Sequence, residues 1–308
     1  MEFTKVHLGK LQATLINDKL PSEDKERIER AIERYEEWYQ EIKEIDGDTV
    51  EEIVEKMIKS LNEYKFYLDV DVIFDSPQDF LYRQKGQLKL DNTVIEEFLP
   101  LLVYKCINKK YNHVDFEFDS QTKTFSSVYF NSSLSRPGIG GGMNIKEKDQ
   151  DFSLTRKLYI KSSYSPNFPE EHSVVRETNL GYIVAECKTN LDKTMFQEAS
   201  ATAHDLKVSV SGSQYFLLAD WLDMTPISTS TTYIEEILLL RKARRIGSQK
   251  RKNFSNYKGR MRDRDFYVNY LKDNPYRADT FLRFVEHIFS QIQGEDLIEE
   301  DILELGYF

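Results

Sequence analysis

Along the first hundred residues the apolar positions fall at helical spacing. Ile28, Ile32, Tyr35, Trp38, Ile42 and Ile45 recur three and four apart behind Pro21, which predicts a helix capped by Ser22. Thr49-Val50-Glu51-Glu52 reads as a capping box, and Val50, Ile53, Val54, Met57, Ile58 and Leu61 form one stripe behind it. Thr93-Val94-Ile95-Glu96 reads as a second box, opening an apolar helix through about Ile107 despite Pro100. From about residue 111 the period changes to two. His113 to Phe118 alternates like a half-buried strand, with Phe125 to Phe130 as its expected hairpin partner. Lys157 to Ile160, Gly181 to Ala185 and Tyr215 to Ala219 read as further strands. Phe196, Ala199, Ala203 and Leu206 predict a helix over about 192–207. Strand, strand, helix, strand in that order predicts an α/β sheet core. After Pro226 the chain reads as helical again, with Ile234, Ile237, Leu238 and Leu240 ahead of a basic stretch. A last helix follows Pro275, with Phe281, Phe284, Val285, Ile288, Phe289 and Ile292 inward. The expected organisation is a mainly helical region over 1–110, the α/β core over 111–225, and a basic helical region with an acidic tail over 226–308.

A chain of 308 residues that is 40 % apolar can bury a sizeable core, which excludes wholesale disorder. No apolar run is long enough to span a bilayer and none follows the first residues, so a soluble, cytoplasmic protein with no membrane partner is expected. Cys106 and Cys187 are too few for a disulfide framework or a four-cysteine zinc site. With five scattered histidines, metal chemistry has to rest on carboxylates.

Charge changes the picture further. The formal net is −10, which on average disfavours a polyanion. Residues 241–264, however, hold 11 basic side chains and one acid, Asp263, leaving −20 for the rest of the chain. Arg241, Lys242, Arg244, Arg245, Lys250 and Arg251, continued by Lys252, Lys258 and Arg260, are therefore candidates for contacting DNA phosphates, which would make binding steeply salt-dependent.

Glu186-Cys187-Lys188 is the strongest chemical signal. It ends an apolar strand, and strand alternation puts Glu186 and Lys188 on one face. Acid-x-Lys occurs five times, but the other four lie in helical stretches where such pairs are ordinary surface charges. A carboxylate and an ammonium ending a buried strand are costly unless something outside the strand uses them, as Mg²⁺ and a phosphodiester together would. The Cys187 carbonyl is then a further hard oxygen ligand, and Lys188 faces water and phosphate. The second carboxylate is expected from Asp151, whose strand can lie antiparallel to 182–188; Asp149 and Asp115 are the alternatives. Glu96 and Glu97 are candidates for a helix-borne carboxylate, and Gln197 or Glu198 for an outer group. Gly138-Ile139-Gly140-Gly141-Gly142 lacks the companions of a phosphate-binding loop and reads as a flexible loop, a candidate for ordering on DNA.

An acid at a strand start, Glu-x-Lys ending the next strand, then a helix and a short apolar strand resembles the PD-(D/E)xK nuclease arrangement. More narrowly, Ala185 to Glu198, Tyr215 to Asp223 and the Arg-rich Leu239 to Arg245 are similar to the BbvCI-type restriction endonucleases, over roughly 145–250. The resemblance implies a mixed central sheet flanked by helices, with helical N- and C-terminal additions. It also implies a type II restriction endonuclease that cleaves double-stranded DNA at a short asymmetric site with Mg²⁺. Such enzymes act as a homodimer or as a heterodimer with a related subunit, each subunit cutting one strand. Glu186 and Lys188 carry over directly as catalytic residues. Asp151 takes the place of the first acid, with Gln150 where the family often has proline. The alternative readings are a repair or recombination nuclease on the same core, and a non-catalytic DNA-binding partner subunit.

Overall fold

The computed structural model describes residues 2–294 together with Leu303 and Gly306. Nearly all of the acidic tail at 294–308 thus lies outside the described residues. The chain opens with helices α1 (Val6–Leu15), α2 (Ser22–Glu44), α3 (Val50–Tyr67), α4 (Phe80–Leu88) and α5 (Thr93–Lys110), with a π-helical segment at Leu68–Phe74. A five-stranded sheet follows: β1 (Glu117–Phe130), β2 (Met143–Ser163), β3 (Ser173–Leu191), β4 (Gln214–Leu222) and β5 (Ile234–Arg244). Helix α6 (Lys193–Ser209) joins β3 to β4. Helices α7 (Ser248–Asn253), α8 (Tyr257–Arg262), α9 (Arg264–Asp273) and α10 (Ala278–Ile292) complete the described chain.

Strands lie in sequence order. The pairs β1–β2 and β2–β3 are antiparallel, whereas β3–β4 and β4–β5 are parallel, so the sheet is mixed. One face is covered by α6, where Phe196, Ala199 and Ala203 pack on Val184, Leu217 and Ala219. The other face is covered by α5 and α10. There Phe284 meets Phe152 and Phe216 edge-on, at centroid distances of 5.7 and 5.3 Å. The front helices join that same apolar core, with Trp38 stacked on Tyr64 at 4.6 Å.

Several local expectations are corrected by the structure. Pro21, not Ser22, occupies the N-cap of α2, and Ser22 is its first helical residue. Thr49 caps α3 by accepting from the Glu52 amide, but the Glu52 carboxylate reaches back to the Asp48 amide. Thr93 lies inside α5 and donates to the Lys89 carbonyl, so no second capping box forms and Glu96 is free for another role.

Residues 117–130 are one continuous strand, not a hairpin in themselves. The polar stretch that looks like a turn stays in the strand, with Gln121 in the left-handed region at φ 52° and no change of register; the β-bulge lies further on, between Phe125 and Ser127. Their partner is β2, with Phe118 opposite Leu154. Residues 234–244 form β5 rather than a helix. Leu238 and Leu240 face the α10 side while Ile234, Ile237 and Leu239 face α6. Burial on both faces erases the two-residue alternation that marks a strand.

The glycine-rich loop closes the β1–β2 hairpin and folds back on the β2–β3 turn. Ser162 Oγ donates to the Gly140 carbonyl at 2.7 Å, and the Tyr164 hydroxyl to that of Pro137 at 3.1 Å. Gly142, at φ 62°, has no room for a side chain, because a Cβ there would stand 2.4 Å from the Asn131 carbonyl oxygen.

Candidate functional site

Strands β2 and β3 part company at the position the chemistry needs. Their pairing ends at Phe152–Ala185, while β3 continues beside β4 as far as Leu191–Leu222. The amide of Cys187, left without a β2 carbonyl, donates instead to Asp151 Oδ2 at 2.8 Å. Asp151 thus sits at the fork, beside Glu186-Cys187-Lys188, inside β2 rather than at its start; the triplet does not end its strand, since β3 runs on to Leu191. On its other side the β1 ladder is interrupted between Ser120–Phe152 and Thr122–Gln150, where the left-handed Gln121 stands.

Glu186 and Lys188 share a face as expected, and Lys188 Nζ lies 2.5 Å from Glu186 Oε1. The second Glu186 oxygen accepts from the hydroxyl of Tyr215, a buried residue of β4. Helix α5 brings Glu96 toward the same point. This carboxylate is fully buried; Asn92 Nδ2 donates to its Oε1 at 2.9 Å, and its Oε2 has no hydrogen-bond partner among the described residues.

Electrostatics tie these groups together. Burial, then the charge of Asp151, pushes the Glu96 carboxyl up to about 7, against the opposing pull of Lys89 and Gln121. Burial and the Glu186 charge raise Asp151, although the Cys187 amide holds it down in part. Burial disfavours the Lys188 ammonium, but the adjoining Glu186 more than offsets this and its pKa stands above the ordinary lysine value. Burial pushes the Cys187 thiol well above its usual range, so this side chain is an inert core thiol.

Glu96, Asp151 and Glu186 bring carboxylate oxygens, the donor type that hard divalent cations take, to this part of the sheet. Glu96 Oε2, buried and without a hydrogen-bond partner among the described residues, is the donor left over for one. Among the described residues no three acidic, histidine or cysteine side chains already stand close enough to hold an ion. Glu186 is engaged by Lys188 and Tyr215, and Asp151 by the Cys187 amide. The two alternative acids are elsewhere: Asp115 is exposed and paired with Arg156 at 3.4 Å, and Asp149 is exposed opposite Lys123. Gln197 and Glu198 are exposed on α6, where the Glu198 charge still reaches Lys188. Glu97 serves the core, accepting from the His7 amide at 2.7 Å and from the Tyr35 hydroxyl.

The basic run divides. Arg260 is 0 % exposed and donates to the carbonyls of Phe74, Ser76, Gln78 and Phe254 and to Asp79. Arg241 is buried over the Tyr276 ring, 3.9 Å from its centroid, and beside Asp69. Both are structural, which corrects the expectation that they contact DNA: a count of charges along a sequence carries no information about burial. Lys242 pairs with Asp279, Lys250 with Asp263, and Arg245 and Arg251 with Asp223. Arg244, Lys252 and Lys258 are exposed and without an ion-pair partner among the described residues. Phe254 is packed among Phe74 and Tyr267, while Tyr257 is exposed.

A cleft of about 560 Å³ opens beside Lys188. Its walls come from α4, from the end of β5 with α7, and from α9; Trp221 and Asn190 line it deeper in. The α4 side brings Arg83, Lys85 and Lys89, which sequence reasoning missed because no long apolar stripe marks that short helix.

Among the described residues no helix is long and apolar enough to cross a membrane. No curated protein matches the chain. Its fold is similar to that of a chain in the native BbvCI A2B2 tetramer, with a TM-score of 0.54 and 17 % identity over 88 % of this chain and 98 % of that one. The family model of the Bpu10I restriction endonuclease matches residues 87–308, more than half of the chain. That span takes in Glu96, Asp151, Glu186, Lys188 and the exposed basic residues, and so the chain belongs to the Bpu10I restriction endonuclease family, as a type II restriction endonuclease subunit.

Proposed function

We propose that the chain hydrolyses a phosphodiester bond of double-stranded DNA at a specific site with Mg²⁺, using Asp151, Glu186 and Lys188 as its catalytic residues. The observation that carries this reading is the fork of β2 and β3. It sets Asp151 against the Cys187 amide, beside the Glu186–Lys188 pair, and Lys188 lines a basic cleft. Asp151 and Glu186, with Glu96 and the Cys187 carbonyl, would hold the metal ion. A divalent ion bound there supplies Lewis acidity for the phosphate and lowers the pKa of the attacking water.

The chain's own residues do the rest. Lys188 presents its ammonium to a non-bridging phosphate oxygen and helps orient the water, so charge growing in the transition state meets a preset cation. Tyr215 fixes the Glu186 carboxylate. Cys187 and Phe152, packed in the core, hold the strand that carries the site rigid. Arg244, Lys252 and Lys258 contact the DNA backbone from the outside. BbvCI is an A2B2 assembly, and by that likeness this chain works with a second, related subunit, each cutting one strand.

A plasmid digest with Mg²⁺ tests the reading, run with and without the product of any adjacent related gene. Discrete fragments are expected, with Glu186→Ala and Lys188→Ala abolishing cutting while DNA binding survives. Retained cutting by both variants would refute the site.

A further inference from the structure

Only one of the cleft's basic walls belongs to the basic run of the sequence. Arg245 and Arg251 line it from that run; Lys85 on α4 and Lys89 at the C-terminal cap of α4 line it as well. Arg83 Nε donates to the Ser255 carbonyl at 2.9 Å and ties the two sides together.

The acids that line the cleft are already engaged. Asp69 pairs with Lys65 at 2.5 Å, Asp91 with Lys85 at 3.5 Å, and Asp220 accepts from the Tyr276 hydroxyl at 2.9 Å. Arg245 and Arg251 share a single carboxylate, Asp223, at 2.8 and 3.7 Å. The cleft therefore keeps an excess of positive charge, and it opens on Lys188.

Lys89 is the clearest unused group. It is exposed, and its ammonium has no hydrogen-bond or ion-pair partner among the described residues. It ends α4 in the left-handed region at φ 54°, a place glycine would occupy without strain. Its charge is felt by both Glu96 and Asp151, so it stands within electrostatic reach of the carboxylates.

Resting on the reading of the site as a DNA-cutting one, we infer that Lys89 binds a phosphate of the cleaved strand adjacent to the scissile one. The DNA backbone then runs through the cleft between α4 and Arg245–Arg251. Lys85, held by Asp91, stands behind Lys89 as part of the same wall. Helix α4, rather than the basic run alone, sets the path of the strand toward Lys188.

The test is binding of the full chain to a labelled mixed-sequence duplex of roughly 300 base pairs, in EDTA, between 50 and 200 mM NaCl. Loss of one phosphate contact lowers the slope of log K against log salt by about 0.9. Across that fourfold salt range, Lys89→Ala should therefore lose about 3.5-fold less affinity than the parent chain. Lys89→Arg should keep the parent slope. Lys25→Ala, on the exposed side of α2 and with the same change in net charge, should also keep it. Lys89→Gly should lose slope as Lys89→Ala does while melting at a higher temperature, which separates the charge from the fold. A parent-like slope in Lys89→Ala, or an equal fall in Lys25→Ala, would overturn the inference. The plasmid digest with Glu186→Ala judges the catalytic site independently, because that variant is expected to bind with the parent slope.

Discussion

Arg260 and Arg244 belong to one basic run and behave oppositely. In Arg260→Ala the guanidinium is removed from beneath four main-chain carbonyls and the Asp79 carboxylate, at distances of 2.8 to 3.2 Å. The side chain is wholly buried, so water replaces it only in part. Each lost hydrogen bond from a charged donor is worth roughly 1.5–3 kcal/mol. Asp79 is about one-third exposed and regains water, which lowers the sum. Breaking a buried charged cluster of this kind costs about 3–5 kcal/mol. With an m-value of about 3 kcal/mol per M, the urea midpoint should fall by roughly 1 M or more. Folded Arg260→Ala protein should bind DNA with the parent salt slope. Arg244→Ala removes an exposed side chain, so it should leave the midpoint unchanged and flatten the slope by about 0.9. Equilibrium urea unfolding and salt-dependent duplex binding on the two variants decide the matter. An unchanged midpoint with a flattened slope in Arg260→Ala would refute the assignment.

Three further predictions follow from buried groups. Burial pushes the Asp220 carboxyl up from 3.8 to about 6. Between those values the folded protein holds a proton that the unfolded chain has released, so this group's contribution to stability falls as pH rises from about 4 to 6. That rise corresponds to about 3 kcal/mol, and Asp220→Asn should lose correspondingly less stability between pH 4 and pH 7 in paired urea titrations; equal pH profiles would count against it. Burial pushes the Cys106 thiol to about 12 and the Cys187 thiol well above its usual range, so neither should react with an aromatic disulfide reagent at pH 8 until urea is added; rapid labelling of the native chain would contradict this. Tyr215→Phe keeps the buried ring but removes the donor to Glu186, and single-turnover cleavage should slow about tenfold with an unaltered melting temperature; an unslowed rate would remove Tyr215 from the site.

What is legible in the sequence depends on how local the determining physics is. Glu186 and Lys188 stand out because a polar pair ends an apolar strand, and antiparallel pairing is enough to bring Asp151 to them. Helix α6 and strand β4 declare themselves through their periods. Strand β5 does not, because α6 and α10 cover both its faces and its apolar residues run together. Strand β1 hides behind the left-handed residue Gln121, whose neighbours have the composition of a turn. Glu96 is masked for a different reason: its place three residues after Thr93 fits a cap that the folded helix does not form. Its burial beside Asp151 depends on α5 crossing the sheet, a long-range fact that no window of the chain contains. The same holds for Arg241 and Arg260, whose neighbours come from residues as distant as Asp69 and Phe74.

The shared core has a consequence for dissection of the protein. The family likeness starts at residue 87, yet Phe98 and Leu102 on α5, and Phe281 and Val285 on α10, complete their packing with Met57, Leu61 and Tyr64. A fragment begun at the edge of the likeness would bare that apolar seam to water and should aggregate instead of standing as a minimal nuclease. Chimaeras between relatives would therefore have to carry the leading helices along with the sheet they shield.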